Sequence, residues 1–305
     1  MSLAEVYLNP APYCFGGSCV EPGKADFLVL GVPFDATSSY RPGSREAPLA
    51  VRVAAANIEF YSMISGVDLE EYRIGDLGDL AQLGDARDMV TVLRDIIASL
   101  PPKPLVVIGG EHTVTLGVYE GLVARGLNPC ILVFDAHLDL RDEYMGLKLS
   151  HATFMRRLLE RHGHDRVFYV ATRAVCREEI EYARRHRVRY VTPQNIRLLG
   201  TMEVSRRIQQ WLNSCGCDSL YISVDMDAYD PAYAPGVGNP EPGGLESWLL
   251  LGMLSSIVRS SQKRVVGIDV TEVSPPHDVG GITSVLAAKT VVEFLAAVAT
   301  RRGGS

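Results

Sequence analysis

Short, nearly continuous apolar runs alternate along this chain with segments of helical periodicity. That alternation constrains the fold more than any other feature. Eight runs read as strands: Phe27–Val32, Tyr72–Gly75, Leu105–Ile108, Cys130–Phe134, Val167–Ala171, Arg189–Thr192, Leu220–Val224 and Val265–Val270. Most are rich in Val, Ile, Leu and Phe without polar alternation, as in strands buried on both faces of a parallel sheet. Between them, Asp85–Leu100 carries a stripe of Met89, Val92, Leu93, Ile96 and Ile97, and Pro101-Pro102 stops it. Thr153–Arg161, Arg177–His186, Val204–Leu212, Glu246–Ser260 and Ser284–Ala299 read the same way. The alternation predicts βαβ units and an α/β fold with a largely parallel sheet. Eight strands fit a closed barrel or an open doubly wound sheet, and the pattern alone does not choose.

The chain has 305 residues, 47% hydrophobic and 22% charged, with a formal net charge of −6. It carries no internal repeat, long Gly/Ser linker or charge block. We read residues 1–305 as a single domain, with about 1–25 as an N-terminal extension and 303–305 as a frayed tail. No basic stripe is present, and no apolar run nears the roughly 20 residues of a membrane span. Neither nucleic acid nor a membrane is therefore an expected partner. Met1–Glu5 has no basic-then-apolar leader, and six cysteines are few for a disulfide scaffold, which predicts reduced thiols in the cytoplasm. A disulfide between Cys14 and Cys19 has no support in the sequence. Cys215-Gly216-Cys217 falls in a helix–strand loop without further ligands.

Groups able to do chemistry gather at the carboxyl ends of the strand runs, where ligand sites of α/β proteins form. Leu105–Ile108 leads into Gly109-Gly110-Glu111-His112, and Cys130–Phe134 into Asp135-Ala136-His137-Leu138-Asp139. Leu220–Val224 leads into Asp225-Met226-Asp227, and Val265–Val270 into Thr271-Glu272. In extended chain, residues i, i+2 and i+4 point to one side, so Asp135, His137 and Asp139 converge, as do Asp225 and Asp227. Four aspartates and two imidazoles in one small volume repel unless cations enter. A set of carboxylates with some imidazole and no thiolate suits Mn²⁺ better than a closed Zn²⁺ site. Six ligands are too many for one catalytic ion. They point to two ions about 3.5–4 Å apart with a bridging water of lowered pKa.

These motifs, in this order and with Ser223–Pro231 read as Ser-x-Asp-x-Asp-x-x-Asp-Pro and Asp269–Glu272 as Asp-x-x-Glu, resemble those of the ureohydrolase family. That family holds the arginases, the agmatinases and their relatives. The resemblance runs from Gly31-Val32-Pro33-Phe34-Asp35 to Ala287-Ala288-Lys289. It implies a three-layer, doubly wound, mostly parallel eight-stranded sheet rather than a barrel. It implies two Mn²⁺ per chain, one held by His112, Asp135, Asp139 and Asp225. The other is held by Asp135, His137, Asp225 and Asp227, with Asp135 and Asp225 bridging. His151 matches the histidine that handles protons near the leaving amine, and Glu272 the carboxylate that pairs with the substrate guanidinium. Asp139 also hydrogen-bonds the nucleophile or the tetrahedral intermediate. A homo-oligomer, trimer or hexamer, is implied as well.

A guanidinium is resonance-stabilised and stays protonated, so it needs the strong nucleophile that two ions supply near neutral pH. The products are urea and an amine. Arginases carry an Asn and a Ser after the Asp-Ala-His-x-Asp motif to grip the amino acid end of arginine. Here that loop reads Leu140-Arg141-Asp142-Glu143-Tyr144-Met145-Gly146 and resembles the agmatinase version, as does Tyr40-Arg41-Pro42-Gly43-Ser44. Asp142 and Glu143 are the expected company for the terminal ammonium of agmatine. Arginine, guanidinobutyrate, aminopropylagmatine and formiminoglutamate are the alternatives within the family. A metal-dependent deacetylase of related architecture fits less well, because it uses one Zn²⁺ and fewer ligands. Two departures bear on the substrate: Glu111 stands where Asp is frequent, and Ala152 follows His151 where Gly is common. His277 can face either the substrate channel or solvent, and His162 and His164 read as surface groups.

Overall fold

In the computed structural model the described residues are 3–17 and 19–301, so the 303–305 tail lies outside them. The strands are β1 (Leu8–Asn9), β2 (Phe27–Gly31), β3 (Tyr61–Ser62), β4 (Val67–Asp68), β5 (Ile74–Leu80), β6 (Leu105–Ile108), β7 (Pro129–Phe134), β8 (Val167–Val170), β9 (Arg189–Val191), β10 (Ser219–Asp225) and β11 (Arg264–Thr271). Nine of them form one sheet in the order β1-β5-β2-β6-β11-β10-β7-β8-β9, and β3 and β4 form a small hairpin. Every pairing in the large sheet is parallel except that of β1 with β5. The eight parallel strands correspond to the eight apolar runs. The ninth, β1, has only two residues, too few to leave a periodic signal, and it covers the open edge of β5.

Side chains alternate across this sheet into two cores. Val106 and Ile108 of β6, Leu132 and Phe134 of β7, and Ile222 and Val224 of β10 face helices Ala47–Ala55, Thr201–Ser214, Ser247–Ser260 and Ile282–Thr300. Leu105, Val107, Ile131, Val133 and Tyr221 face helices Ala86–Ser99, Val114–Ala124, Phe154–His162 and Arg177–His186. The result is the open three-layer α/β/α arrangement, with helices on both faces. Helices Ala47–Ala55 and Val114–Ala124 had escaped the periodicity reading. The second is apolar nearly all round, because it is enclosed on most sides, and so it has no amphipathic stripe to detect.

Two findings depart from expectation, and a third is a buried charge. The segment Val279–Thr300 is long and apolar enough to cross a membrane, but 78% of its most apolar window is buried inside the fold. It is the core helix of one layer, and its Lys289 and Glu293 pair at 3.0 Å along one face. Cys14 and Cys19 form a disulfide, with Cα atoms 5.6 Å apart, so reduced thiols remain only at Cys130, Cys176, Cys215 and Cys217. Arg52 is fully buried. Its guanidinium donates to both carboxylate oxygens of Asp76 at 2.8 and 2.9 Å, to Asp79 at 2.6 Å and to the Gly78 carbonyl at 3.0 Å. Asp76 also accepts from the Phe15 N–H at 2.9 Å, which ties the N-terminal extension to this charge network.

Candidate active site

The site lies beyond the carboxyl ends of β6, β7, β10 and β11, four strands that are neighbours in the sheet in the order β6-β11-β10-β7. Register matters here: Ser223 of β10 lies beside Asp269 of β11, and Asp225 beside Thr271. The loop after β6 is clamped from both sides. The Glu111 N–H donates to the Phe34 carbonyl at 2.7 Å, and the Glu272 N–H donates to the Gly110 carbonyl at 2.8 Å. Gly110 is required at this crossing, because a Cβ there would overlap the Phe34 carbonyl.

The six expected ligands meet. His112 Nδ1 lies 3.1 Å from Asp135 Oδ2, 3.2 Å from Asp139 Oδ2 and 3.3 Å from Asp225 Oδ2. His137 Nδ1 lies 2.9 Å from Asp227 Oδ2 and 3.5 Å from Asp135 Oδ1. His112, Asp135 and Asp139 form one group with potential ligand atoms within 4.8 Å of one another, and Asp135, His137 and Asp227 form a second. Asp135 belongs to both. The convergence does not come from continued strand, as the i, i+2, i+4 argument assumed. Asp139 has φ of 53°, in the left-handed region, and Asp227 lies in a 3₁₀ turn spanning Met226–Ala228. Turns, not pleat, bring these carboxylates inward, and the left-handed Asp139 is the kind of strain that clusters at functional sites.

Local hydrogen bonds aim three of the four carboxylates. One oxygen takes a backbone donor: Asp135 from His137 at 2.6 Å, Asp225 from Asp227 at 2.8 Å, and Asp227 from Ala136 at 3.0 Å. The other oxygen is left to face the cluster. His112 is fixed from behind. Its Nε2 contacts Ser223 Oγ at 2.8 Å, and Ser223 Oγ donates to Asp269 Oδ1 at 2.6 Å. Because the Ser223 proton is spent on Asp269, His112 Nε2–H is the donor, which leaves Nδ1 as the ring nitrogen that faces the three aspartates and would bind a cation. His112 Nδ1 and Asp135 Oδ2 are buried polar atoms without a hydrogen-bond partner. Native structures rarely leave such atoms unsatisfied, and a cation between them satisfies both.

Charge tells the same story. Against the cost of burial, Asp135, Asp139 and Asp225 raise His112 well above its ordinary pKa, and Asp227 and Asp135 do the same for His137. Burial, with Asp135 nearby, pushes Asp139 up to about 7. Burial, with Asp227 and Asp135 nearby, raises Asp225 well above its usual range. The protein alone balances its aspartates with protons, and divalent cations would do so without them.

A cavity of about 450 Å³ opens over this cluster, lined by His112, His137, Asp139, Asp225, Asp227, His151 and Glu272 among others. Glu272, at φ of 64°, accepts the His112 N–H at 2.8 Å through Oε1. Burial and the neighbouring Glu111 push it up to about 8, the signature of a buried carboxylate in want of a cation. Gly238 leaves room beside its Oε2, where a Cβ would come within 3.1 Å. Glu111 is outside the cluster. Its carboxylate takes the Thr37 N–H at 2.7 Å and the Thr113 hydroxyl at 2.6 Å, and burial pushes it up to about 7. His151 N–H donates to Thr37 Oγ1 at 3.0 Å, and its ring sits 3.4 Å from Thr37 Oγ1 and 3.3 Å from Ser39 Oγ. Burial, with His137 near, pulls His151 down to about 4, so the imidazole is neutral at pH 7.

Asp142 and Glu143 are not brought to the cavity wall. Asp142 is taken up by Arg157 at 2.7 Å, Lys148 at 3.2 Å and Arg156 at 3.7 Å, and Glu143 is exposed. From that loop Arg141 and Tyr144 line the cavity instead, with the guanidinium 5.0 Å over the ring. His277 is held by Ser274 at 2.9 Å and does not line it. Sequence reasoning missed Arg173, Asn239 and Glu241 on the wall. The signal for Arg173 existed only in three dimensions: it donates to the carbonyls of Asp227, Glu241 and Pro242. At the opposite end of β7 and β10, the sulfurs of Cys130, Cys215 and Cys217 lie within 4.8 Å of one another. Each thiol donates to a backbone carbonyl there, away from the site.

Known proteins resemble this chain over most of its length. The model of the arginase family matches residues 25–297. The N(1)-aminopropylagmatine ureohydrolase of Thermococcus kodakarensis is 33% identical over 285 residues, 92% of this chain and 93% of that protein. The agmatinase of Pyrococcus horikoshii is 34% identical over 274 residues, 88% of this chain and 91% of that protein. Among solved structures, the agmatine ureohydrolase of Thermoplasma volcanium superposes with a TM-score of 0.84 at 34% identity, covering 93% of each chain.

Proposed function

The chain belongs to the arginase family of amidine-cleaving hydrolases, and from that premise we propose that it hydrolyses agmatine to urea and putrescine with two Mn²⁺. The observation that supports this reading best is the pair of orphaned buried atoms, His112 Nδ1 and Asp135 Oδ2, inside a ring of aspartates beside Glu272. His112, Asp135, Asp139 and Asp225 would hold one ion, and Asp135, His137, Asp225 and Asp227 the other. Ions held there would supply a water of lowered pKa, nucleophilic near neutral pH.

The rest of the chemistry falls to side chains of this chain. Glu272 Oε2 pairs with the planar guanidinium and turns its carbon toward the cluster, while Oε1 stays on the His112 N–H. Asp139 hydrogen-bonds the attacking water and accepts a proton as the C–O bond forms. The bond from the central carbon to the alkyl nitrogen then breaks, and that nitrogen must take a proton to leave. His151, neutral in the resting protein, takes up the proton that Asp139 accepted from the water and passes it to the amine, which returns Asp139 to its carboxylate form. The same reading carries a homo-oligomer, trimer or hexamer. A longer substrate, agmatine with an added aminopropyl arm, is the second reading, favoured by the relative from Thermococcus kodakarensis.

Urea release from agmatine, aminopropylagmatine and arginine, assayed in parallel on Mn²⁺-loaded protein, tests the proposal. Agmatine is expected to give the highest kcat/KM. A preference for arginine overturns the agmatine reading and leaves the amidine hydrolase standing.

A further inference from the structure

The tail of the substrate needs a partner, and neither Asp142 nor Glu143 supplies one at the cavity wall. The carboxylates that line the cavity outside the ligand cluster are Glu179, Glu241 and Glu272. Glu272 is assigned to the guanidinium. Glu179 is consumed by the backbone, accepting Leu140 N–H at 3.1 Å and Cys176 N–H at 3.0 Å. Glu241 alone makes no hydrogen bond or ion pair through its carboxylate among the described residues. Its backbone is nonetheless held firmly. Arg173 donates to the Glu241 carbonyl at 2.6 Å, to the Pro242 carbonyl at 3.1 Å and to the Asp227 carbonyl at 2.7 Å. Asp230 accepts the N–H groups of Gly243 and Gly244 at 2.8 and 3.0 Å and closes the base of the same loop. One guanidinium therefore staples the loop of Glu241 to the loop of Asp227, and anchors the backbone that carries an unpaired carboxylate beside the cluster.

We propose that Glu241 is the specificity-determining residue of this site, taking the distal ammonium of a guanidine whose other end is held by Glu272. This rests on the amidine hydrolase reading above and goes beyond it by selecting the charge of the tail. Of the arginines on the wall, Arg141 is stacked on Tyr144 and Arg173 is spent on backbone carbonyls, which leaves Glu241 as the group that discriminates cationic from neutral tails. A half-buried carboxylate on an anchored backbone rewards an ammonium and repels a carboxylate.

The test uses full-length Mn²⁺-loaded protein and three guanidines that differ only in the tail: agmatine, 1-butylguanidine and 4-guanidinobutyrate. Wild type is expected to favour agmatine. Glu241→Gln keeps the shape and removes the charge. It is expected to lower the ratio of kcat/KM for agmatine to that for butylguanidine by roughly 10- to 100-fold, the loss of one charge-assisted contact. The change should fall on KM rather than kcat. Calorimetric binding of 1,4-diaminobutane against 1-butylamine should show the same loss of preference without turnover. The proposal is overturned if Glu241→Gln leaves the ratio within twofold, or if Glu143→Gln lowers it as much. It is also overturned if wild type prefers butylguanidine or guanidinobutyrate, which leaves the hydrolase standing. Absence of urea from all three guanidines overturns the agmatine reading and this inference with it.

Discussion

Replacing Ser223 with Ala should weaken the ion at His112 while sparing the fold. Ser223 Oγ sits between His112 Nε2 at 2.8 Å and Asp269 Oδ1 at 2.6 Å, all three buried. Asp269 also accepts from Tyr221 Oη at 2.6 Å, so it orients the serine by accepting, and the serine orients the imidazole. Without Oγ, the buried Nε2–H has no acceptor, which costs about 1–3 kcal/mol. The metal-free imidazole escapes by giving up its Nε2 proton and keeping the one on Nδ1, which Asp135, Asp139 and Asp225 hold. An entering ion must then expel that proton and restore the unsatisfied Nε2–H, so the penalty appears in metal affinity. We expect roughly 10- to 100-fold weaker binding at this position, the usual effect of removing a group that orients a metal ligand. Mn²⁺ competition against a chelating dye measures it, and urea release against free Mn²⁺ gives a second curve. Saturating Mn²⁺ should restore most of kcat. An unchanged half-saturating Mn²⁺ in a folded Ser223→Ala protein would refute the assigned tautomer and the role of Asp269.

Two further outcomes follow from the buried charges. Arg52→Met leaves Asp76 and Asp79 without their cation, Asp76 being almost fully buried, and should cost about 3–5 kcal/mol in chemical denaturation, whereas an exposed pair such as Arg177–Glu181 should cost under about 1 kcal/mol. For pH, the raised groups all act in one direction above the unfolded histidine pKa of about 6.5. Folded Glu272 holds its proton up to about 8 and folded Glu111 and Asp139 up to about 7, while the unfolded carboxyls are already ionised. His112 and His137, raised well above 6.5, keep protons that the unfolded chain has released. The folded state binds more protons, so stability of the metal-stripped protein should fall as pH rises from about 6.5 to 8. His151, held down at about 4, adds nothing in that window, because it is neutral in both states there and costs stability only as pH falls below about 6.5. Melting temperatures at the two pH values, with and without Mn²⁺, check this, and Mn²⁺ should flatten the dependence.

Much of the site could be read from the chain, because strand ends announce themselves. His112, Asp135, His137, Asp225 and Asp227 each follow a buried apolar run within five residues, and such runs fix which edge of the sheet they reach. What supports them could not be read that way. Ser223 and Asp269 meet only because β10 and β11 are neighbours in register, and strand order is not written in periodicity. Asp142 looked free because its loop is polar. The arginines that take it, Arg156 and Arg157, sit on the next helix, and pairing depends on how that helix packs. Glu241 lay in a Pro/Gly-rich loop with no pattern of its own, and Arg173 joins it to Asp227 across nearly seventy residues of chain. Nothing in the periodicity marks Arg52, which the fold places at 0% exposure between two aspartates.

The central claim is that His112 and His137 head two adjoining ion sites that share Asp135. Equilibrium dialysis with Mn²⁺, followed by electron paramagnetic resonance of the loaded protein, tests it most directly. The account predicts two Mn²⁺ per chain with an exchange-coupled spectrum. It further predicts that His112→Asn and His137→Asn each lose one ion, the coupling and urea release. A single uncoupled ion in wild type, or two coupled ions that survive either substitution, would contradict it.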